Sequence, residues 1–109
     1  MVDAITYAAS AAEVDVDTTV EEHFRAYRIP AEHPAVALAS AALRDCRIEP
    51  VPTATGGGSD ASAFAAKGFT CVNLAVGVER NHTPHEHVSR RVLEQTLDVA
   101  GRLVARAAG

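Results

Sequence analysis

Four side chains that can bind a metal or move a proton lie within the short segment "NHTPHEHVS". They are His82, His85, Glu86 and His87. Neutral imidazole and carboxylate groups are ordinary zinc ligands, so a metal-binding loop is one interpretation. The spacing differs from that of the HExxH helix, and histidines on a polar loop are also commonly solvated. Metal ligands and solvated side chains both stay open as interpretations of this segment.

Three consecutive glycines at 56–58 lead into Ser59 and Asp60. Glycine lets a ligand approach the main chain closely and can adopt positive φ, and a helix amino terminus carries partial positive charge. Such a turn suits a carboxylate, a phosphate or an oxyanion. It lacks the P-loop, GxGxxG and GxSxG patterns, which argues against nucleotide binding and against Ser59 as a nucleophile. Gly57, Gly58 and Ser59 are therefore candidate anion-binding residues, and an empty flexible turn capped by Ser59 is the alternative.

The elements that must position these residues follow from periodicity and from capping residues. Apolar spacing predicts four helices, at 2–12, 34–46, 60–67 and 90–107. Alternating β-branched and aromatic residues within 14–29 predict one strand or two joined by a bulge. The segment 69–77 is apolar on both faces, which is typical of a strand buried in a parallel sheet.

This order of elements predicts an α/β fold. Before the glycines, the pattern suits a sheet with helices on one side. After them, it suits part of a doubly wound α/β sheet, with a junction near 55–58. A chain of 109 residues is too short to complete both layers by itself.

Composition narrows the class of partner. The formal net charge is -4, with no long basic run, so the chain does not have the surface of a nucleic-acid-binding or anionic-membrane-binding protein. The first residues do not form a secretory signal, and no segment approaches the roughly 20 apolar residues that span a bilayer. We expect a cytoplasmic protein whose partner is a small solute or another protein.

Three motifs occur here in a fixed order. They are "TGGGSDA", then "AKG" followed by an apolar run ending at Gly77, then "NHT..E..S" before the last helix. With them, residues 14–106 resemble the carboxyl-terminal part of the peptidase T-like branch of dinuclear zinc metallopeptidases. This family includes tripeptide aminopeptidases, glutamate carboxypeptidases, aminoacylases and succinyl-diaminopimelate desuccinylases. The resemblance implies the second half of a ferredoxin-like lid, which often dimerises, at 1–54, and the terminal part of the zinc-binding α/β domain at 55–109.

The resemblance also implies roles for single residues. His82 matches a zinc ligand of the family, and Gly57, Gly58 and Ser59 match residues that line the substrate cleft. A complete site would hold two zinc ions, with cobalt or manganese as alternatives, and would hydrolyse an amide bond in a small peptide or an N-acyl amino acid.

The family's other metal ligands and its glutamate general base lie upstream of the matched region. No catalytic residue is therefore assigned in this chain, and we expect the chain alone to be inactive. A homodimer formed through the lid is the expected assembly. The alternative from a different functional class is a stand-alone module that binds a small carboxylate or dimerises without catalysis.

Overall fold

Four helices provide the regular structure of the chain. The computed structural model describes all residues from 1 to 109. The helices are α1 (Val2–Ala11), α2 (Pro34–Asp45), α3 (Asp60–Ala66) and α4 (Arg90–Ala107). Each begins at the residue predicted from the sequence and ends within one residue of the predicted end, so the four helix predictions are confirmed.

Local capping explains where these helices begin and end. Pro34 occupies the first turn of α2, where its missing N–H removes no hydrogen bond, and Nδ1 of His33 accepts from the N–H of Ala35 at 3.1 Å. The Ser89 hydroxyl accepts from the N–H of Val92 at 3.2 Å and so caps α4. Gly68, with φ of 85°, follows the end of α3 in the left-handed conformation that favours glycine.

The contact between α2 and α4 forms the centre of the molecule. Ala39 and Ala42 on α2 and Val99 on α4 are buried. Farther along, the Arg106 guanidinium donates to both carboxylate oxygens of Asp45, at 2.6 and 2.8 Å. This hydrogen bonding from Arg106 lowers the pKa of Asp45 below its ordinary value of 3.8. A small apolar contact and one bidentate ion pair therefore stabilise the packing of α4 against α2.

The strands predicted at 14–29 and 69–77 are not formed. The structure contains no strand ladder, only one isolated antiparallel bridge between Glu79 and His87. The predicted α/β fold, with half of a ferredoxin-like lid and part of a doubly wound sheet, is therefore not observed. The physical reason is that a strand is stabilised by its neighbours, and neither segment pairs with another extended segment through main-chain hydrogen bonds here.

The molecule is elongated and buries little of its apolar surface. Its radius of gyration is 19.5 Å, whereas a compact domain of this length would have about 13 Å. Its accessible surface is 9291 Å², about 1.6 times that of a compact monomer of the same mass. On α4, the side chains of Leu93, Leu97 and Val104 are 59%, 73% and 71% exposed. None of the helices is long and apolar enough to cross a membrane.

Candidate functional site

The histidine-rich segment folds as a loop closed at its base by the Glu79–His87 bridge. The N–H of Glu79 donates to the carbonyl of His87 at 2.9 Å, and the N–H of His87 donates back at 3.2 Å. Inside the loop, the Thr83 hydroxyl donates to the carbonyl of Arg80 at 2.7 Å and accepts from the N–H of His85 at 3.2 Å. The loop therefore has a defined conformation without help from another element.

His82 lies within this loop in an uncommon backbone conformation. Its φ is 64°, in the left-handed region that non-glycine residues seldom adopt. Its N–H donates to Oε2 of Glu86 at 2.8 Å. The residue is exposed, and no hydrogen bond within the chain engages its imidazole. The ring is thus available to a ligand from outside the chain.

The other three candidate metal ligands are engaged differently. Nδ1 of His87 donates to the carbonyl of His85 at 2.9 Å, and its Nε2 lies 3.8 Å from a carboxylate oxygen of Glu79. The carboxylate of Glu86 is bound to the main chain of His82. No group of three or more histidine, cysteine, aspartate or glutamate side chains converges as a metal site would require. His82 fits as a single imidazole donor, but the side chains present do not complete a metal centre, so no chemical step through a metal is derived.

The glycine turn at 56–58 does not use the positive φ that glycine can adopt. None of the three glycines at 56–58 has positive φ. Gly58 is instead constrained by space, because an added Cβ would overlap the aromatic ring of Phe24. The N–H groups of Gly57 and Gly58 donate to no group in the chain and are exposed. The N–H of Gly56 also donates to no group, so all three glycines offer free main-chain donors in this turn.

Ser59 is the residue before α3, as predicted, and its hydroxyl oxygen and its N–H each make one hydrogen bond within the chain. Its hydroxyl accepts from Nδ2 of Asn73 at 2.9 Å, and its N–H donates to Oγ of Ser62 at 3.4 Å. Asn73 was missed by sequence reasoning, although an amide inside the apolar run 69–77 is the signal that could have identified it. The contact ties the glycine turn to that run.

Two further contacts also escaped the sequence analysis. The Tyr27 hydroxyl donates to the carbonyl of Cys71 at 3.1 Å. Nε2 of His33 lies 3.5 Å from the hydroxyl of Thr70. Both contacts join residues more than 35 positions apart, at separations of 44 and 37, and no local pattern reports such pairs.

The apolar run 69–77 connects the two candidate loops. At one end of the connection is the Ser59–Asn73 hydrogen bond. At the other, Gly77 has φ of 65° and lies so close to Val92 that a Cβ would meet the valine side chain. Two surface grooves, one beside Cys46 and Arg102 and one beside Phe24 and Ala65, include none of the predicted site residues. Residues 69–77 therefore link the glycine turn to the histidine-rich loop. Neither of these loops lies in either groove.

Sequence comparison identifies the family. The family model described as Peptidase family M20/M25/M40 matches residues 3–106. The chain belongs to this family. Members of the M20/M25/M40 family are generally metal-dependent peptidases. No solved structure matches the chain significantly.

Several proteins named Peptidase T are similar to this chain. Peptidase T of Serratia proteamaculans (strain 568) is 39% identical over 92 residues, which cover 83% of this chain and 22% of that protein. Peptidase T of Pectobacterium atrosepticum is 33% identical over 90 residues, with coverages of 81% and 22%. Peptidase T of Escherichia coli O1:K1 is 36% identical over 73 residues, with coverages of 66% and 18%. The chain thus spans about one fifth of the length of these relatives.

Proposed function

We propose that this chain supplies the carboxyl-terminal part of a metal-dependent peptidase that acts on small peptides from the amino end. The observation that carries the proposal is the 39% identity to a Peptidase T over 83% of the chain. The low burial of apolar side chains agrees with it, because a segment of a larger protein leaves uncovered the surface that its other parts would bury.

In this proposal, His82 donates one imidazole to a pair of zinc ions whose remaining ligands come from outside these 109 residues. Cobalt or manganese are alternatives to zinc. Metals in such a site polarise a peptide carbonyl and activate water. The exposed ring of His82 supports the assignment, and the absence of a converging ligand set is the reason we expect no hydrolysis by the chain alone.

The glycine turn is the proposed contact for an anionic part of the substrate. The free N–H groups of Gly57 and Gly58 are the donors in this role. The Ser59 hydroxyl oxygen accepts a hydrogen bond from Asn73, and its O–H proton would be the donor to the same anion. The substrate class is a small peptide or an N-acyl amino acid.

The arrangement of the complete enzyme follows as part of the same proposal. Residues 1–54 would belong to a lid that dimerises with a second copy, and residues 55–109 to a catalytic α/β domain located in the cytoplasm. The unpaired segments within 14–29 and at 69–77 would become sheet strands once neighbouring strands are supplied. The contact between α2 and α4 would then lie between lid and catalytic domain.

A chimeric enzyme tests the proposal. The matching segment of Serratia proteamaculans Peptidase T is replaced by this chain, and hydrolysis of a tripeptide is compared with that of an N-acyl amino acid. We expect zinc-dependent cleavage of the tripeptide by the chimera and none by the 109-residue chain. His82→Ala in the chimera should lower kcat/KM by about a hundredfold or more, because a metal ligand is lost.

The matched control is His23→Ala, which removes an exposed imidazole outside both candidate loops. It should leave kcat/KM of the chimera unchanged. Equal losses in the two variants would refute the role of His82. Tripeptide hydrolysis by the isolated chain would refute the proposal that the remaining ligands lie elsewhere.

A further inference from the structure

Glu86 is the only side chain that makes a hydrogen bond to the main chain of His82. Its Oε2 accepts the His82 N–H at 2.8 Å, a short distance that is typical of a bond to a charged acceptor. The Glu86 N–H in turn donates to the carbonyl of Thr83 at 3.1 Å. The main chain of Glu86 is thus bound to Thr83 of the same loop, and its carboxylate binds the N–H of His82.

His82 needs such support because of its backbone. A non-glycine residue at φ of 64° brings Cβ close to the following carbonyl, so the conformation is adopted only where surrounding contacts impose it. The remaining hydrogen bonds of the loop involve Glu79, Arg80, Thr83, His85 and His87 and do not reach His82. The bond to Glu86 is therefore the contact that fixes this residue.

We propose that Glu86 is a positioning residue, whose carboxylate holds His82 in the left-handed conformation and thereby orients the imidazole before any ligand arrives. The role acts through the main chain, since Glu86 contacts the N–H of His82 and not its ring. Its value for catalysis rests on the proposed function of His82. The hydrogen bond itself is independent of that function and is testable without metal.

Amide hydrogen exchange of the 109-residue chain in metal-free buffer tests the bond directly. We expect the His82 amide to exchange about tenfold faster in Glu86→Ala than in the unmodified chain. Glu86→Gln keeps an acceptor oxygen and should restore most of the protection. The His82 Cα and Cβ chemical shifts should leave the left-handed range in Glu86→Ala and stay there in Glu86→Gln.

Two controls separate positioning from general loss of structure. Glu79→Ala removes another exposed carboxylate of the same loop, yet Glu79 joins the bridge through its main chain, so the His82 amide should be unchanged. The bridge amide of His87 and the helical amide of Val92 report whether the loop base and α4 are intact. Unprotected exchange of the His82 amide in the unmodified chain, or loss equally large in Glu79→Ala, would overturn the proposal.

Addition of zinc to the chimeric enzyme, where the remaining ligands would be supplied, then distinguishes this role from that of a direct ligand. Positioning predicts that the His82 amide stays protected while the ring signals of His82 shift. If Glu86 were itself a metal ligand, the carboxylate would leave the amide, protection would fall, and the positioning role would be refuted. If zinc perturbs no His82 signal while Glu86→Ala still releases the amide, the metal-ligand role of His82 fails and the positioning of its main chain by Glu86 stands.

Discussion

Gly58 shows what a single residue contributes to the candidate site. Its neighbours Gly56 and Gly57 have open space where a Cβ would be, whereas at Gly58 the ring of Phe24 occupies that space. Phe24 is 46% exposed, so its ring is partly covered where it meets Gly58. The role of Gly58 is close approach, and not the positive φ that three glycines in sequence suggest.

Replacement of Gly58 by alanine should therefore detach Phe24. The added methyl group overlaps the ring, and displacement of a half-exposed side chain costs about 1 kcal/mol. We expect loss of the nuclear Overhauser contact between the Phe24 ring and residue 58, and tryptic cleavage after Arg25 that is about fivefold faster. Gly56→Ala is the matched control and should change neither measurement. An unchanged Phe24 contact in Gly58→Ala would contradict this account.

The helices are the elements whose bounds can be read from the sequence. Periodic apolar residues, Pro34, Gly68 and the capping serines lie within a few positions of the helix ends they determine. The predicted strands depend on partners remote in sequence, and here 69–77 forms no ladder of main-chain hydrogen bonds with another segment, only single contacts such as that of Asn73 with Ser59. The candidate site likewise has a part that the sequence predicts and a part that it does not. Residue types placed His82 and the glycines among the candidates, but the Glu86–His82 bond depends on a loop conformation that residue spacing does not encode.

The ion pair between α2 and α4 predicts how the packing of these helices depends on pH. The hydrogen bond from Arg106 holds the pKa of Asp45 below its ordinary value of 3.8. An aspartate whose pKa is lower in the folded state stabilises that state fully above its unfolded pKa, and the contribution is lost as pH falls through the folded pKa. Helicity measured by circular dichroism should therefore decline on acidification below about pH 4.

Asp45→Asn tests directly how much the Arg106–Asp45 pair stabilises the packing of α2 and α4. The variant should have a lower Tm at neutral pH and should lack the part of the acid-induced decline that the pair causes. Asp17→Asn removes the same charge at a residue that takes part in no ion pair and should retain the wild-type pH profile. Identical profiles for Asp45→Asn and the unmodified chain would exclude a stabilising role for the Arg106–Asp45 pair.

At the scale of the whole molecule, the dominant feature is the large amount of apolar side-chain surface that is exposed to solvent. Helix α4 turns Val99 toward α2 but leaves Leu93, Leu97 and Val104 largely exposed. An apolar stripe on each side of a helix indicates a helix packed on both sides. In the complete peptidase proposed above, the second side would be covered by parts of the enzyme that are not in this chain.

Leu97→Asn distinguishes the isolated chain from the chimera. In the 109-residue chain, Leu97 is 73% exposed, so the free energy of unfolding should change by less than about 0.5 kcal/mol. In the chimera, burial of this side chain would make the same change cost about 3 kcal/mol. Asp98→Asn, at the adjacent exposed position, should be neutral in both. Thermal unfolding of the four proteins provides the comparison, and a neutral Leu97→Asn in the chimera would place this face in solvent.

The bridge between Glu79 and His87 makes the His82 loop a transferable module. Both ends of the loop are fastened to each other, and its interior hydrogen bonds are made among its own residues. A synthetic macrocycle spanning 79–87, with its ends linked covalently in place of the bridge, would carry the same geometry and offer a peptide scaffold for presenting one imidazole.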